Sequence, residues 1–279
     1  PKAKSIVDIL NVGDIVQIST RTHTEDEQTS ETVHLTQTPE AQGALVSLSP
    51  KDGAIKALVG GYDFGISHYN RAIQAKRQPG SNFKAFIYLA ALENGATAST
   101  LINDAPIVFE DKNLEAAWRP ENSSGKFYGP TRIRKALYNS RNLVSIRLLK
   151  ETGVRKTLNT VEKFGFNKKQ LPRDLSLALG SAALPPMSIA SGYSMIANGG
   201  FKIEPHLIER IEDHEGKVIY RPKHPSVCQQ CPTPFEATTD TLHTPAQRIA
   251  DERAIYILHS MLKDVIKKGT GRRALKLKR

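Results

Sequence analysis

The sequence predicts an α+β fold, in which an antiparallel sheet accompanies a helical cluster. Three features support this: strand patterns come early in the chain, helical runs occupy its middle, and a second strand pair precedes one long amphipathic helix. Strands and helices that occur in separate blocks are typical of α+β proteins. The chain has 279 residues, of which 39% are hydrophobic. This length and composition allow one substantial core and a small second domain.

Residues 1–40 differ from the remainder of the chain in their pattern. Apolar and polar residues alternate over 12–18, as in a strand, whereas residues 20–37 are polar with few large apolar side chains. We interpret this segment as the end of a small β module followed by a linker. The main domain is then expected over residues 41–279.

From Gly43 onward the periodic patterns are stronger. Apolar runs at 44–48 and 54–59 flank the turn sequence Pro-Lys-Asp-Gly, which predicts a hairpin. A second hairpin is expected from the runs 207–213 and 217–220. Helices are predicted over 81–94, 131–139, 142–151, 154–164, 186–197 and 246–267, with Gly95 after the first. The cleft of such a fold would lie between the sheet and the helices.

The most informative local sequence is Gln-Pro-Gly-Ser-Asn-Phe-Lys at 78–84, where the first predicted helix begins. The Pro-Gly turn places Ser81 at or near the helix N-terminus. Lys84 follows three residues later, so the two side chains share one face and the amine lies within reach of the hydroxyl. A serine becomes a useful nucleophile when an adjacent base takes its proton, and a helix N-terminus stabilises a nearby oxyanion. The pair therefore indicates acyl transfer through an acyl-serine.

A Ser-x-x-Lys pair on its own often occurs by chance. Here the residues around Lys84 are mostly apolar, so the helix is expected to be buried, and a lysine in such a helix needs a reason. In addition, Ser140 and Asn142 lie at the junction of two predicted helices. A Ser-x-Asn at that position can direct a second hydroxyl and a carboxamide into one cleft.

Together, Ser-x-x-Lys and Ser-x-Asn resemble the signature of the penicillin-recognising serine acyltransferases. From about residue 44 to the C-terminus the chain is similar to the class A penicillin-binding proteins of the 1a type. The strings that carry the resemblance are Gly-Gly at 60–61, Asn-Arg-Ala at 70–72, Arg-Gln-Pro-Gly-Ser at 77–81, Trp-Arg-Pro-Glu-Asn at 118–122, Gly-Ser-Ala-Ala-Leu at 180–184 and Ala-Asn-Gly-Gly at 197–200. The resemblance implies the penicillin-binding transpeptidase fold and, for residues 1–40, an OB-like linker region.

The resemblance also implies a role for each of the four polar residues. Ser81 would be the acylated nucleophile, and Lys84 the base that activates it. Ser140 would relay a proton to the leaving amine, and Asn142 would hydrogen-bond the substrate amide and orient Lys84. The backbone N–H of Ser81 would form half of the oxyanion hole. No cofactor or metal is expected, since the eight histidines show no paired metal-ligand spacing.

The third motif of the family, Lys-Thr-Gly, does not occur in this sequence. In the family it lies on the edge strand of the active-site sheet, where it supplies the second oxyanion N–H and binds the substrate carboxylate. The string Lys-Gly-Thr-Gly at 268–271 has the wrong order and is similar to the segment shortly before that motif. We therefore expect the chain to end just before the motif, with an incomplete site.

The leading functional hypothesis is a D,D-transpeptidase that cross-links peptidoglycan stem peptides ending in D-Ala-D-Ala and is acylated by β-lactam antibiotics. Two alternatives stay open. A class A β-lactamase would need a glutamate in a Glu-x-x-Leu-Asn setting, whereas the nearest string here begins with Arg155. A β-lactam sensor or scaffold would share Ser81 and Lys84 with the enzyme but would lack an acceptor site.

The net charge of +11 indicates an anionic environment or partner. Nucleic acid is not expected, because no recognition motif is present and aromatic residues make up only 6%. Anionic lipid head groups and a carboxylate-bearing cell-wall peptide fit better, and a solvated basic surface without a single target is equally compatible. The resemblance implies an upstream membrane anchor and glycosyltransferase domain, a position at the periplasmic face of the bacterial inner membrane, and an accessory activator protein.

Cys228 and Cys231 lie in a loop rich in proline and polar residues. A local disulfide would suit an oxidising compartment. A zinc site would need two more ligands; His224 and His243 are near in sequence, but the spacing matches no standard finger. A redox-active pair is the third interpretation, although no thioredoxin-like pattern surrounds the two residues.

Overall fold

The computed structural model describes residues 5–25, 28–108, 118–227 and 244–277. It divides into two compact units, Pro1–Gly43 and Ala44–Arg279. The predictions made for Cys228, Cys231 and His243 lie outside the described residues.

The first unit contains a β hairpin. Its strands, β1 (Gln17–Glu25) and β2 (Gln28–Thr36), pair antiparallel with Gln17 opposite Thr36. The strand expected over 12–18 therefore begins only at Gln17, and most of the polar stretch expected to be a linker is β structure. Threonine recurs in this stretch. It is polar but β-branched, so its strand preference prevails over the low hydrophobicity. The OB-like assignment stays a prediction.

The second unit begins with the expected hairpin of β3 (Leu45–Leu48) and β4 (Ile55–Val59). A further antiparallel pair, which the sequence pattern did not reveal, consists of β5 (Leu101–Asp104) and β6 (Gly129–Arg132). Asp104 ends β5, and the chain that follows β6 leads to Ser140.

The second predicted hairpin is confirmed, with shorter strands than expected. These are β7 (Ile211–Glu212) and β8 (Val218–Tyr220), which pair antiparallel. A short parallel pair follows, formed by β9 (Pro225–Ser226) and β10 (Thr244–Pro245).

The strands do not form one central sheet in the part of the chain that the structure describes. They form five two-stranded ladders, four of them antiparallel. The predicted α+β class is confirmed, whereas the central antiparallel sheet that was predicted with it is not found among these residues. The reason is local: β7 and β8 are short and exposed and pair only with each other. Within the described ranges, the isolated bridge between Ala54 and His206 connects the hairpin of β3 and β4 to the chain that leads to β7.

The helices follow the predicted runs closely. Within the described ranges they are α1 (Lys84–Glu93), α2 (Ile133–Tyr138), α3 (Asn142–Thr152), α4 (Val154–Lys163), α5 (Pro186–Ala197) and α6 (Glu252–Lys267). The largest difference is at α6, which was expected to begin at residue 246. It begins later because the Asp251 side chain caps it, accepting hydrogen bonds from the backbone N–H groups of Arg253 and Ala254.

Helix α1 lies at the centre of the core. Its residues from Lys84 to Leu92 are all buried, and it packs against α3, α4 and α6. A helix that is apolar on every side is typical of a core element. The ring of Phe86 packs edge-on against the aromatic rings of Phe164, Phe166 and Tyr193, with centroids 4.8 to 5.9 Å apart. Lys84, the one charged residue in the buried part of α1, therefore belongs to a helix whose other buried residues pack in the core.

Among the described residues, no helix has both the length and the apolar character needed to cross a lipid bilayer.

Candidate active site

Ser81 lies in a single 3₁₀ turn, Gly80–Phe83, that runs directly into α1. The turn begins with Gly80 at φ +57°, and the Gly80 N–H donates a hydrogen bond of 3.2 Å to the carbonyl oxygen of Gly180. Gly180 is also left-handed, at φ +68°, and its Cα approaches the Gly80 backbone so closely that a Cβ there would overlap it. Two glycines thus allow two turns to meet, and Ser81 is exposed at their junction.

Lys84 is the first residue of α1, and only 1% of its surface is exposed. Its Nζ donates hydrogen bonds of 2.7 Å to Asn142 Oδ1, 2.8 Å to the carbonyl oxygen of Ser140 and 3.1 Å to Ser140 Oγ. The amine is therefore fixed by three contacts to the Ser-x-Asn segment.

The environment of Lys84 raises the fraction of its neutral form above that of an exposed lysine. Burial lowers the pKa of Lys84 from 10.5 to about 8, because a charged amine loses its hydration there. All three acceptors around Nζ are uncharged oxygens, so they do not compensate for the lost hydration as a carboxylate would. A lysine with this pKa can act as a general base near neutral pH.

Ser140 joins the other two side chains. Its Oγ donates a hydrogen bond of 2.9 Å to Ser81 Oγ and accepts the one from Lys84 Nζ. The residue follows the C-terminal end of α2 and has φ +55°, the one positive value among the described non-glycine residues. The hydrogen bonds thus run from Ser81 through Ser140 to Lys84. Sequence reasoning placed the Lys84 amine within reach of the Ser81 hydroxyl, and in the structure hydrogen bonds connect the two through Ser140.

Asn142 begins α3 and is held at both ends of its amide. Its Oδ1 accepts from Lys84, and its Nδ2 donates 2.8 Å to the carbonyl oxygen of Glu121. The backbone N–H of Asn142 donates 2.8 Å to Asn122 Oδ1. All four predicted site residues are therefore brought together.

Two further residues support this arrangement and were not assigned a site role from the sequence. Asn122 closes the Trp-Arg-Pro-Glu-Asn string, and its Nδ2 donates 2.8 Å to Asp104 Oδ1 at the end of β5. The signal for Asn122 was present, because that string was part of the family resemblance. Asp104 gave no signal, since it is the last residue of a strand that the pattern did not predict.

Residues near the end of the chain contact the residue that ends α2. The backbone N–H of Thr270 donates 3.1 Å to the carbonyl oxygen of Tyr138, and Gly269 approaches the same oxygen so closely that a Cβ would clash with it. The Lys-Gly-Thr-Gly string therefore lies beside the chain that enters the Ser-x-Asn segment. Within the described ranges, His, Cys, Asp and Glu side chains form no group of three that could bind a metal.

The chain resembles known proteins over most of its length. Residues 43–278 match the family model described as the penicillin binding protein transpeptidase domain. Penicillin-binding protein 1A of Pseudomonas aeruginosa is 46% identical over 100% of this chain and 37% of its own length. Penicillin-binding protein 1A of Neisseria flavescens is 43% identical over 89% of this chain and 29% of its own length. The chain thus spans about a third of the length of these curated relatives.

Solved structures agree with the sequence comparison. Penicillin-binding protein 1A from Haemophilus influenzae, at 34% identity, has a TM-score of 0.80 and covers 91% of this chain and 40% of its own. A ceftriaxone acyl-enzyme complex of penicillin-binding protein A from Mycobacterium tuberculosis has a TM-score of 0.63 at 21% identity, covers 81% of this chain and 56% of its own, and shares the fold. With its Ser-x-x-Lys turn, its Ser-x-Asn segment and a family match over residues 43–278, this chain belongs to the penicillin-binding protein transpeptidase domain family.

Proposed function

We propose that this chain supplies the nucleophile and the proton-transfer groups of a D,D-transpeptidase, which cross-links peptidoglycan through an acyl-serine intermediate. The observation that carries the proposal is the hydrogen-bonded series Ser81, Ser140 and Lys84, which ends on a buried amine whose pKa is about 8. Such a series connects an exposed hydroxyl to a base that is partly neutral at physiological pH.

In the acylation step, Ser81 Oγ attacks the carbonyl carbon of the penultimate D-alanine. The Ser81 proton passes to Ser140 Oγ while the Ser140 proton passes to the lone pair of neutral Lys84. This requires the hydrogen bonds to point from Ser81 to Ser140 to Lys84, the reverse of the directions in the resting arrangement. A neutral Lys84 amine has two N–H donors, which serve Asn142 Oδ1 and the carbonyl oxygen of Ser140, so its lone pair can face Ser140 Oγ. The hydroxyl hydrogens of Ser81 and Ser140 rotate freely enough to complete the reversal. The proton path is therefore short and continuous.

The tetrahedral intermediate then collapses. Its oxyanion is stabilised by the backbone N–H of Ser81, in the role that the family assigns to this group. The C–N bond to the terminal D-alanine breaks, and Ser140 returns the proton held by Lys84 to the departing amine. Asn142 orients both the substrate amide and Lys84. The products of this step are free D-alanine and an ester on Ser81.

The second step transfers the acyl group. An amine of a neighbouring stem peptide attacks the Ser81 ester, gives up a proton to the same relay, and regenerates the free serine as the cross-link forms. A β-lactam would mimic the D-Ala-D-Ala donor, but its opened ring would keep the leaving nitrogen attached, so that the acyl-enzyme persists. β-Lactam binding by this chain is part of the proposal.

The setting of the whole protein is proposed from its relatives, since the chain spans only 37% of the Pseudomonas aeruginosa protein. We propose that the gene product also carries a glycosyltransferase domain and a membrane anchor, acts at the periplasmic face of the inner membrane and responds to an accessory activator protein. The basic surface of this chain, with a net charge of +11, would favour anionic lipid and cell-wall carboxylates.

The test uses the full-length gene product with a peptidoglycan substrate that carries D-Ala-D-Ala stem peptides. We expect released D-alanine and cross-linked peptide in equal amounts, and neither product from Ser81→Ala. D-Alanine without cross-links would indicate a carboxypeptidase. Rapid turnover of penicillin would indicate a β-lactamase. Penicillin labelling with neither peptide product would indicate a sensor.

A further inference from the structure

Asp104 is fully buried behind the Ser-x-Asn segment. Its Oδ1 accepts the hydrogen bond from Asn122 Nδ2, whereas Oδ2 accepts none in the described part of the chain. The nearest cation to Oδ2 is the Nε of Arg141, at 3.9 Å. A carboxylate inside a protein is costly unless its charge is paired and hydrogen-bonded. Asn122 and Arg141, the two residues that Asp104 contacts through its carboxylate, are therefore the ones whose positions it can fix.

Asn122 connects Asp104 to the site, because its side chain hydrogen-bonds both Asp104 and the backbone N–H of Asn142. A carboxylate can only accept hydrogen bonds, so Asn122 has to turn its NH₂ group towards Asp104. The same NH₂ also donates 2.9 Å to the carbonyl oxygen of Lys126. These two acceptors fix the amide so that Asn122 Oδ1 faces the backbone N–H of Asn142, at 2.8 Å. That N–H is one of the groups at the start of α3 that have no partner inside the helix.

Arg141 provides a second connection between Asp104 and the same turn. Its guanidinium lies 3.5 Å from the centre of the Tyr128 ring and donates 3.3 Å to Ser124 Oγ, in addition to the Asp104 contact. Residue 141 is thus held by its side chain and residue 142 by its backbone. These interactions fix the two residues that immediately follow Ser140. Ser140 itself has a left-handed φ of +55°, which is unfavourable for a residue with a side chain.

We propose that Asp104 and Asn122 are positioning residues for acylation. They hold the turn of residues 140–142 in the geometry that places Ser140 Oγ within hydrogen-bond distance of both Ser81 Oγ and Lys84 Nζ. Neither residue touches the reacting atoms, and both act through the turn. The inference rests on the proposed function, because it concerns the efficiency of the same acylation step.

The test is the kinetics of acylation of the full-length protein by a fluorescent penicillin. Asp104→Asn keeps the shape of the side chain, but its NH₂ would face either the NH₂ of Asn122 or the guanidinium of Arg141. Asn122→Ser is a second variant, in which the shorter side chain no longer bridges Asp104 and Asn142. Three quantities are measured for each: the limiting rate at saturating penicillin, the half-saturating concentration, and the final moles of label per mole of protein.

We expect the limiting rate to fall at least about tenfold in both variants, since small displacements of a catalytic group are costly. The half-saturating concentration should change less and stay within about twofold of the parent value, because neither substituted residue is proposed to contact the substrate. The limiting rate constant is obtained from the time course of the molecules that become labelled. Unfolded protein lowers the final labelling and leaves this rate constant unchanged.

Thr160→Val is the matched control. Thr160 is buried in α4, and its Oγ1 donates 3.0 Å to Glu93 Oε2, so the variant loses one buried hydrogen bond outside the turn. It should acylate at the parent rate. A limiting rate within about twofold of the parent in both Asp104→Asn and Asn122→Ser would overturn the inference, and so would lower final labelling at an unchanged rate. Labelling of Ser81→Ala would instead refute the proposed function itself.

Discussion

At the scale of single residues, Lys84 determines how the site responds to pH. Its Nζ is surrounded by uncharged acceptors, and the structure describes no ion pair for it. Burial therefore dominates and lowers the pKa of Lys84 to about 8. Two measurable consequences follow, one for the reaction rate and one for stability.

The rate of acylation by penicillin is expected to rise with pH through a midpoint near 8, because only the neutral Lys84 amine accepts the proton that leaves Ser81. At pH 7 roughly one molecule in ten would have the neutral amine. The measurement is the acylation rate constant of the full-length protein between pH 6 and about 9.5, within the range where tyrosines stay protonated. A rate that is constant across this range would contradict the role of Lys84 as base.

The stability of the folded domain should also change with pH because of Lys84. The folded-state pKa of about 8 lies below the unfolded value of 10.5, so between these values the unfolded chain binds more protons. The free energy of unfolding then rises with pH across that window, by about 3 kcal/mol for a lysine this strongly shifted.

Lys84→Met, which keeps the length of the side chain without a titratable group, isolates this contribution. The variant should be more stable than the parent at pH 7, and its advantage should shrink as the pH rises from 8 towards 10.5. Urea denaturation of both proteins at several pH values measures the difference. A constant difference between the two would show that the pKa of Lys84 is not shifted in the folded state.

At the scale of elements, the position of Ser81 depends on the contact between two glycine turns. Gly180→Ala would place a methyl group against the Gly80 backbone and would also strain a residue with φ +68°. We expect the Ser81 turn to move and the acylation rate to fall at least about tenfold. The strain alone should lower the free energy of unfolding by about 1 to 2 kcal/mol.

Gly95→Ala is the control that separates strain from displacement. Gly95 follows α1 with φ +94°, and no other atom lies within 4 Å of the place where a Cβ would go. This variant should lose similar stability and keep the parent acylation rate. Equal loss of acylation in both variants would show that the Gly80–Gly180 contact does not position Ser81.

The elements also show what the sequence could predict about the site. Ser81 and Lys84 were predictable because their relation is local: a turn, then three residues along one helix. Ser140 and Asn142 were predictable as a motif at a helix junction. Asp104 was not, because its role depends on β5 pairing with β6 across an intervening 24 residues of chain, Ala105–Tyr128. Such a pairing leaves no periodic signal in a strand four residues long.

At the scale of the whole molecule, α1 connects the site to the core. The helix that carries Lys84 is also the one that buries Phe86 among the rings of Phe164, Phe166 and Tyr193. Its burial was predictable from its continuous apolar sequence. The arrangement of the strands was not, because two-residue and three-residue strands such as β7 and β8 carry too little pattern to specify their partners.

Phe86→Ala should therefore destabilise the whole domain. Removing a fully buried ring from this cluster is expected to cost about 3 to 5 kcal/mol, because the cavity closes only partly. The measurement is the thermal unfolding midpoint, with Tyr256→Ala as control, since Tyr256 lies on α6 with its side chain exposed. A similar midpoint for the two variants would contradict the central position of α1.

The central claim is that Ser81 is the acylated nucleophile. The most direct measurement is mass spectrometry of the penicillin-treated full-length protein after proteolysis, which locates the adduct on one residue. We expect one penicilloyl group, on Ser81, in the parent protein and none in Ser81→Ala. An adduct on any other residue, or one that persists in Ser81→Ala, would contradict it.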